Sequence, residues 1–358
     1  NLLNPFQSGF RPGHSTNSAL VKITDDCRMG MERSHVTVLA LLDFSNAFNT
    51  VDHDILLSMM RSLNVSDDAI DWFRSYLGGR RQRIRVEDTL PAWCELSAGV
   101  PQGGVLSPIL FSMFINNITS SLSSCCHLYA DDLQIYTQII PTQLIIVGIS
   151  RMLSREDLKM LPNVYFDGVH MPFSESVKNL GVIIDKTMLW GPHVAEISRK
   201  LLASSFTMRR LRTFLPIPTK IALVQSSLLP ILDYADICFI DLTEEQLNKL
   251  ERLQNDCIKF IFGLRKFDHV SEFPARLQWL PIRQRRIFHT LSFLYRVLFD
   301  RCSPQYLKER FQYDSDVQSR SLHSSRDLTL VIPHHVTSFY DNSFTVQLVR
   351  LWNGFPVR

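Results

Sequence analysis

The chain has 358 residues, of which 45% are hydrophobic and 20% are charged. This length and composition are typical of a folded protein of about two domains and exclude disordered, collagen-like and coiled-coil chains. No apolar run approaches the roughly eighteen residues of a membrane span, so we expect no membrane partner. Seven cysteines without CxxC or zinc-finger spacing predict a reducing intracellular compartment, in the nucleus, the cytoplasm or both.

Charge is distributed unevenly along the chain. Residues 1–140 contain 10 Lys and Arg against 14 Asp and Glu, a net charge of −4, whereas residues 199–302 contain 17 against 10, a net charge of +7. A basic second half predicts a phosphate-bearing partner, and the acidic first half indicates a separate role for its carboxylates. Two ordinary solvated surfaces are the alternative interpretation of the same numbers.

The first predicted elements are a helix and a strand. Ser15 or Thr16 is a candidate N-cap for a helix over residues 18–33, because both side chains can accept a hydrogen bond from the first turn. Residues 36–44 are a β-branched apolar run of strand length that contains Asp43 near its end. This pattern predicts a buried strand with a carboxylate at its carboxyl end.

Further elements follow in chain order. The next are helices over 54–63 and 67–77, hairpin strands at 82–86 and 93–96, and a Gly/Pro loop at 100–110 that leads into a helix ending near 118. Residues 127–137 predict a hairpin whose turn carries Asp131 and Asp132. Beyond it we expect strands within 177–184, an almost wholly helical region over 193–299 and a mixed segment over 303–358.

Asp43, Asp131 and Asp132 are thus predicted at the ends of strands that could be neighbours in one sheet. Carboxylates gathered in this way repel one another unless cations hold them. Nucleotidyl transfer by two metal ions about 3.5–4 Å apart requires such an arrangement, and hard oxygen ligands favour Mg²⁺, or Mn²⁺. Ordinary turn chemistry is the alternative interpretation of two adjacent acids.

Longer strings surround these acids. They are QSGFRPGHST (7–16), LLDFSNAFNTVDH (41–53), AGVPQGGVLSPILFSMFINNI (98–118), YADDLQIY (129–136) and VKNLGVIID (177–185). In identity and order they resemble the reverse transcriptases of non-LTR, LINE-type retrotransposons, especially the Jockey-like group. The strings LQNDCIKFIFGLRKFDHVS, LQWLPIRQRR and RLWNGFP extend the resemblance over nearly the whole chain.

The resemblance implies an α+β, right-hand polymerase fold with partial fingers, a palm with an antiparallel sheet, and a helical thumb. Its expected domains are fingers and palm over 1–192, a helical thumb-like region over 193–300, and a C-terminal region of the retrotransposon polyprotein over 301–358. The implied function is RNA-directed DNA polymerisation, in which a primer 3′-hydroxyl attacks a deoxynucleotide on two Mg²⁺ ions, or Mn²⁺. The implied partners are an RNA template, a DNA primer and deoxynucleotides, with the endonuclease on a missing segment or another chain.

The resemblance also gives roles to residues in the acidic half. Asp43, Asp131 and Asp132 match the catalytic, metal-binding acids, and the carbonyl of Phe44 matches a further metal ligand. Phe48 matches the position whose bulk excludes a ribose 2′-hydroxyl, although plain core packing is the alternative role for this ring. Three residues match the loop that supports the incoming nucleotide: Pro101, Gln102 and Gly103.

Two more groups of residues match the nucleic-acid-binding parts of the family. Leu180 and Gly181 match the hairpin that grips the primer end. The basic helical region that follows resembles a thumb facing a nucleic-acid backbone, although some of its arginines will be ordinary surface residues. The cluster expected to contact the backbone consists of Arg283, Arg285 and Arg286.

The chain departs from the family at three places. By the resemblance, it is expected to begin partway through the fingers, and Asn49 stands where the group usually has Asp. In addition, the sequence passes from Tyr136 almost directly to PTQLIIVG at 141–148. The last departure predicts an internal gap in the palm, from a true deletion or a wrongly joined gene model. A catalytically inactive remnant that still binds nucleic acid is therefore the main alternative function. Phe48 argues against an RNA-making polymerase, and the thumb strings argue against an intron maturase.

Overall fold

The computed structural model describes residues 3–44, 46–83, 85, 92–122, 124–139, 164–166, 169–171, 174–210, 212–317 and 328–355. The chain divides into two compact units. The first comprises residues 1–19 and 39–137, and the second comprises residues 20–38 and 138–358. In the described ranges, no helix combines the length and the apolar character needed to cross a bilayer.

In the described part of residues 16–139, the structure has four α-helices and five strands, besides short 3₁₀ turns. The helices are α1 (Thr16–Glu32), α2 (His53–Ser62), α3 (Asp67–Leu77) and α4 (Ser107–Ile115). The strands are β1 (Val36–Asp43), β2 (Arg81–Gln82), β3 (Cys94–Glu95), β4 (Cys125–Tyr129) and β5 (Asp132–Ile139). The predicted N-cap of α1 is found at Ser15, whose hydroxyl accepts from the Ser18 amide at 3.2 Å.

A three-stranded sheet has the order β1, β5, β4. Strands β4 and β5 form an antiparallel hairpin in which Cys125 is opposite Tyr136 and Tyr129 is opposite Asp132. On the other side of β4, the amide of Leu128 donates to the carbonyl of Phe6 at 2.9 Å. The N-terminal segment is therefore attached to the edge of this sheet.

The helices around the sheet cover an apolar core. Their periodicity places Leu56 and Met60 of α2, Ile70 of α3 and Leu110 of α4 in the interior, each at most 1% exposed. Leu128 of β4 joins the same cluster from the sheet. Burying side chains of this size contributes about 1.5–3 kcal/mol each, so the core fixes the layer that supports the strand ends.

The second unit is mainly helical. In its described residues after 139, two hairpins come first: β6 (Val164–Phe166) pairs with β7 (Val169–Met171), and β8 (Ser176–Asn179) pairs with β9 (Val182–Asp185). The α-helices that follow are α5 (Gly191–Arg209), α6 (Ile217–Leu223), α7 (Leu229–Asp233), α8 (Glu244–Phe262), α9 (Phe273–Leu277) and α10 (Ile282–Phe299). Toward the C-terminus follow α11 (Gln305–Lys308), α12 (Asp314–Val317), α13 (Ser338–Asp341) and α14 (Phe344–Gly354).

Sequence signals explain the ends of α8, one of the long helices. Thr243 and Gln246 form a reciprocal capping box at its start, and Gly263 adopts a left-handed conformation immediately after its end. These two signals satisfy orphan backbone groups at both termini. The helix can therefore pack its apolar face without exposing unpaired amides or carbonyls.

The interior of the second unit contains charged groups as well as apolar ones. Trp190, which is fully buried, donates its indole N–H to Asp241 at 2.8 Å. The other oxygen of Asp241 accepts from Arg28. Arg310 pairs with Asp25 at 2.8 Å and also with Asp26. Ion pairs therefore link α1 to distant parts of the same unit.

The structure confirms the predicted mixture of helices and antiparallel strands. Strand β1 and helix α3 agree with their predicted bounds to within one residue, and the helical region after residue 191 is present as expected. The hairpin of β2 and β3 is shorter than predicted in the described residues. The right-hand arrangement and the domain boundaries at 192 and 300 stay predictions, and the segment at 141–148 lies outside the described residues.

Candidate active site

The three predicted carboxylates come from two adjacent strands. Asp43 is the last residue of β1 and is exposed. Asp131 lies in the two-residue turn between β4 and β5, where Ala130 has a left-handed φ of 57°. Asp132 was expected in the turn, but it already belongs to β5, opposite Tyr129. The hairpin therefore gives the two adjacent acids different positions, one on the turn and one on the strand.

The carboxylates influence one another electrostatically. The pKa of Asp132 is raised from its ordinary value because burial disfavours the charged form, and because the negative charges of Asp131 and Asp43 lie nearby. Within the part of the chain that the structure describes, none of the three forms an ion pair with Lys, Arg or His. The site therefore has an excess of negative charge.

Hard oxygen donors in excess of protein cations suit a divalent metal ion. The three carboxylates do not all offer oxygens within 4.8 Å of one another, a spacing that the described residues reach only at Asp233, Asp236 and His289. Asp43, Asp131 and Asp132 are thus too widely spread to chelate one ion tightly in this arrangement. Their type and charge fit divalent metal binding, with further ligands supplied by other molecules.

The carbonyl of Phe44, the other predicted metal ligand, directly follows Asp43. It accepts a hydrogen bond from the Ala47 amide at 3.2 Å, which closes a turn after the strand. A carbonyl oxygen has two lone pairs, so this bond leaves one of them free. The ring of Phe44 packs on the apolar core, which anchors the end of β1.

A glycine supports the turn that carries Asp131. A Cβ atom at Gly9 would lie 2.2 Å from the backbone nitrogen of Ala130. Any side chain at this position would displace the turn, because the two nearest atoms, the nitrogen and the Cα of Ala130, belong to the backbone. The Ser8 amide also donates to the Leu128 carbonyl at 2.8 Å. The QSGF segment therefore supports the β4–β5 hairpin through backbone contacts.

Phe48 packs against two aromatic rings and remains partly accessible, and its predicted role in nucleotide selection stays a prediction. Its ring stacks on Phe111 with centroids 4.6 Å apart, and the Phe10 ring meets it edge-on at 6.2 Å. The side chain is only half-buried, so part of the ring remains accessible. Two aromatic neighbours restrict its movement, which makes it a rigid steric wall.

The predicted nucleotide-supporting loop is tied to the segment that contains Phe48. The Val100 amide donates to the Phe48 carbonyl at 2.8 Å, and the Gly104 amide donates to the Pro101 carbonyl at 3.0 Å. Gly103, with a φ of 78°, provides the positive dihedral that a type II turn requires at this position. The backbone of residues 101–104 is therefore a closed turn next to Phe48.

The side chain of Gln102 contacts Asn49, the residue that stands where the family usually has Asp. Its amide nitrogen donates to the Asn49 side-chain oxygen at 3.1 Å, and both residues are exposed. An aspartate at position 49 could accept the same hydrogen bond. The Asn49 departure therefore preserves this contact between the loop and the segment after β1.

Leu180 and Gly181, the predicted primer grip, form the turn of the hairpin between β8 and β9. The hydroxyl of Tyr234 donates to the Leu180 carbonyl at 2.7 Å. A Cβ atom at Gly181 would lie 3.1 Å from the Tyr234 ring. Tyr234, which directly follows α7, therefore holds the turn in place, and both turn residues remain partly exposed.

The three arginines expected at a nucleic-acid backbone all have protein partners. Arg283 donates from both terminal nitrogens to Glu244, at 2.8 and 2.7 Å. Arg285 pairs with Asp233 at half-buried positions. Arg286 is 6% exposed and donates to the carbonyls of Asp236 and Phe239, each at 2.6 Å.

The environment of Arg286 corrects its predicted role. Its guanidinium lies over the Phe239 ring, 4.5 Å from the centroid, and burial lowers its pKa. A phosphate could not reach this group without opening the helical core. Arg286 is therefore a structural residue, and only Arg283 of the predicted cluster has a substantially exposed side chain, at 38%.

Sequence reasoning missed two supporting residues. Gly9 was part of a recognised string, but nothing in the string indicated that it contacts Ala130. Tyr234 was not singled out, since its contact with Leu180 spans 54 positions. A glycine flanked by Ser8 and Phe10 was the available signal for the first, and the sequence contains no comparable signal for the second.

The strand-end carboxylates, the Phe48 ring and the closed turn of residues 101–104 all belong to the first unit of the chain. In a comparison with known proteins, residues 1–158 match the family described as reverse transcriptase (RNA-dependent DNA polymerase). This part of the chain is therefore similar to a reverse transcriptase domain. Enzymes of this family generally use a divalent metal.

Relatives of known name extend the similarity beyond that domain. A probable RNA-directed DNA polymerase from transposon X-element of Drosophila melanogaster is 24% identical over 292 residues, or 73% of this chain and 32% of that protein. The RNA-directed DNA polymerase from mobile element jockey of Drosophila funebris is also 24% identical over 292 residues, or 72% and 32%. The predicted resemblance is thus confirmed, and the chain spans about a third of the length of these relatives.

Proposed function

We propose that the chain carries the catalytic palm of an RNA-directed DNA polymerase of a non-LTR retrotransposon. One observation supports this most strongly: Asp43, Asp131 and Asp132 lie at the ends of two neighbouring strands without a protein cation in the described residues, and burial together with the nearby charges of Asp131 and Asp43 raises the pKa of Asp132. External cations would compensate this negative charge. The family match of residues 1–158 indicates the reaction.

When bound, two Mg²⁺ ions, or Mn²⁺, would favour loss of the proton from the attacking 3′-hydroxyl and would neutralise negative charge on the departing pyrophosphate. Asp43 and Asp131 are the proposed ligands, with the Phe44 carbonyl as an additional donor and Asp132 at the margin. The chain's own contribution is to hold these oxygens on two hydrogen-bonded strands. Gly9 supports that placement by leaving room for the Ala130 backbone.

The aromatic wall and the glycine turn are proposed to select and seat the nucleotide. Phe48, fixed by Phe10 and Phe111, would exclude a 2′-hydroxyl by bulk and so favour deoxynucleotides. The closed turn formed by Pro101, Gln102 and Gly103 would present backbone and amide groups to the incoming nucleotide. The hydrogen bonds from this loop to the Phe48 segment keep the two elements in register.

The remaining proposals concern substrates and organisation. An RNA template, a DNA primer and deoxynucleotides are the proposed partners, with Leu180 and Gly181 gripping the primer and Arg283 contacting the backbone. The proposed organisation is a right-hand polymerase with fingers and palm over 1–192, a thumb over 193–300 and a polyprotein region over 301–358. A nuclear or cytoplasmic location would give access to these nucleic acids, and the endonuclease would lie on another segment or chain.

Primer extension on a homopolymer RNA template tests the proposal. The full chain is compared with the Asp131→Asn, Asp132→Asn double variant in Mg²⁺ and deoxynucleotides. We expect the double variant to lose at least a hundredfold in rate, because its metal-binding charges are gone. A double variant at the exposed positions Arg301→Gln and Phe288→Ala, outside the site, is the control and should extend normally.

The inactive remnant gives a different result in the same assay. The full chain would then fail to extend the primer at any Mg²⁺ or Mn²⁺ concentration, while still binding an RNA–DNA hybrid in a salt-dependent manner. Extension that persists unchanged in the double variant would contradict the proposed roles of Asp131 and Asp132.

A further inference from the structure

A second charged feature lies in the helical unit, far along the chain from the carboxylates. A cavity of about 460 Å³ opens between the carboxyl-terminal ends of α5 and α8. Five cationic side chains line it, against the single acid Asp256: Arg209, Arg212, Lys259, Arg265 and Lys266. We call this cavity the basic pocket.

The cations of the basic pocket differ in their partners from three other arginines of the unit. Arg283, Arg285 and Arg310 are each paired with a carboxylate. By contrast, none of the five pocket cations forms a salt bridge in the chain ranges that the structure describes. Lys259 donates to the Lys266 carbonyl at 2.6 Å, but the described lining has five cations against one acid, and this net positive charge favours an anionic ligand.

Helix dipoles explain only part of this concentration of positive charge. Arg209 and Lys259 lie in the last turns of α5 and α8, where a cation interacts favourably with the helix C-terminus. Arg212, Arg265 and Lys266 lie beyond the helix ends, in the loops that follow. Those three are not required to stabilise a helix end, and they widen the pocket's positive surface.

Two aromatic rings accompany the same loops. Phe214 is 82% exposed and follows Arg212 by two residues, and Phe267 is 86% exposed and follows Lys266 directly. They are the most exposed phenylalanines in the described ranges. The Lys266 ammonium lies 5.5 Å from the Phe267 ring centroid. Most of each ring is therefore exposed to water.

Basic grooves flanked by exposed aromatic rings are the means by which proteins bind unpaired nucleic-acid strands. Phosphates neutralise the cations, and free base faces stack on the rings. A duplex offers the phosphates but keeps its bases stacked in the helix interior. We propose that the basic pocket, together with Phe214 and Phe267, binds single-stranded nucleic acid.

The inference rests on the proposed function only in taking nucleic acid as the partner. It adds a strand-binding site at a distance in sequence from the catalytic acids, and it specifies an unpaired strand. The chemistry is common to RNA and DNA, because phosphates and base faces occur in both. A template or a displaced strand outside the paired region would supply such a ligand.

Fluorescence anisotropy tests the proposal, using labelled single strands of about 15 nucleotides as RNA, as DNA, and as the matching duplex. Binding is measured without divalent metal or deoxynucleotides. Arg212→Gln with Arg265→Gln should weaken single-strand binding about tenfold or more and reduce the salt slope by about 1.4, or 0.7 per lost charge. Phe214→Ala with Phe267→Ala should weaken it about tenfold per ring without changing the salt slope.

Matched controls separate these effects from general loss of charge or apolar surface. Arg301→Gln removes an exposed cation elsewhere, and Phe288→Ala removes a ring that is 59% exposed on α10. Both should leave single-strand binding unchanged. The proposal is overturned if the pocket variants bind like the controls, or if loss of the two rings weakens duplex binding as much as single-strand binding. Retained binding of either RNA or DNA by the wild type, lost in the variants, supports it.

Primer extension on a short pre-annealed duplex separates this inference from the proposed function. The pocket variants should extend such a duplex, whereas the Asp131→Asn, Asp132→Asn variant should bind single strands normally and fail to extend. If the wild type binds single strands through the pocket but does not polymerise, the inference stands without the proposed polymerase activity. If it polymerises and the pocket variants bind normally, only the inference fails.

Discussion

Two of the chain's three pairs of adjacent aspartates have opposite surroundings. Asp25 and Asp26, in α1, are buried, and Arg310 pairs with both. Asp131 and Asp132, on the β4–β5 hairpin, are partly accessible and have no cationic partner in the described residues. The first pair is neutralised by the chain itself, whereas the second depends on charge from outside.

The contrast shows why two adjacent acids in a sequence do not by themselves indicate a function. Lys22 donates to Asp26 and Thr345 donates to Asp25, so three of the pair's four carboxylate oxygens accept from protein donors, and Asp25 Oδ1 has no partner among the described residues. The hairpin pair keeps its lone pairs for other ligands. What distinguishes a structural acid from a metal-binding acid is therefore the origin of its counter-charge.

Removing the partner of the structural pair should have the largest effect. Arg310→Ala leaves Asp25 buried without a cation and Asp26 with Lys22 alone, and we expect the free energy of unfolding to fall by about 3–5 kcal/mol. Urea denaturation measures it, with Arg301→Ala at an exposed position as the control. A loss no larger than the control's would show that the α1 pair does not depend on its arginine.

Supplying the missing counter-charge should have the next largest effect. Mg²⁺ at about one hundred times its dissociation constant should raise the free energy of unfolding by about 2.7 kcal/mol, because it binds the folded site. Thermal denaturation with and without Mg²⁺ measures this shift. In the Asp131→Asn, Asp132→Asn variant the shift should vanish, whereas Arg310→Ala should retain it. Equal shifts in the wild type and the double variant would show that Mg²⁺ does not bind at Asp131 and Asp132.

The repulsion within the hairpin pair predicts a smaller, pH-dependent effect. The folded pKa of Asp132 lies above its ordinary value of 3.8, so the folded state holds more protons than the unfolded state between the two values. Stability contributed by Asp132 therefore falls as pH rises through that window. Asp131→Asn lowers the pKa of Asp132 and should raise stability at neutral pH by less than about 1 kcal/mol, given solvent screening.

Chemical denaturation at neutral and at acid pH measures that difference. At a pH below 3.8 Asp132 is protonated in both proteins, so the advantage of the Asp131→Asn variant should disappear. Asp67→Asn, at an exposed position in the first turn of α3, provides a charge-matched control. A variant that is less stable than wild type at neutral pH would mean that the two carboxylates do not repel.

A paired but exposed arginine should give the smallest effect. Arg283 makes two hydrogen bonds to Glu244, but both side chains are in contact with solvent. Water and salt screen such a pair, so Arg283→Gln should leave urea denaturation unchanged within error. A loss comparable to that of Arg310→Ala would show that burial is not what gives the α1 ion pairs their importance.

Much of the local structure follows from sequence signals that act over short distances. The apolar run and its β-branched residues predict β1, and the acids and Gly78 around residues 67–77 predict α3. The turn between β4 and β5 was assigned one residue too far, because aspartate suits both a turn and a strand start. Local propensity alone could not decide which position Asp132 would take.

The carboxylate site was predictable because each acid lies at the end of a recognisable strand, inside strings shared with a known family. The role of Arg286 was not predictable. Arginines are rarely buried, and this one is held by carbonyls 50 and 47 positions away. Its neighbour in sequence, Arg285, finds its partner 52 positions away. Contacts at such separations depend on tertiary packing rather than on local pattern.

The close approach of Gly9 to the β4–β5 hairpin, whose turn contains Asp131, has a consequence for which copies of this sequence can be active. Gly9 contributes no functional group, yet most single-base changes that replace a glycine introduce a side chain, and here that side chain would collide with the backbone that presents Asp131. A copy could therefore retain every aspartate and still be silent. Residue 9 would then be as informative as the acids themselves for sorting competent copies from decayed ones.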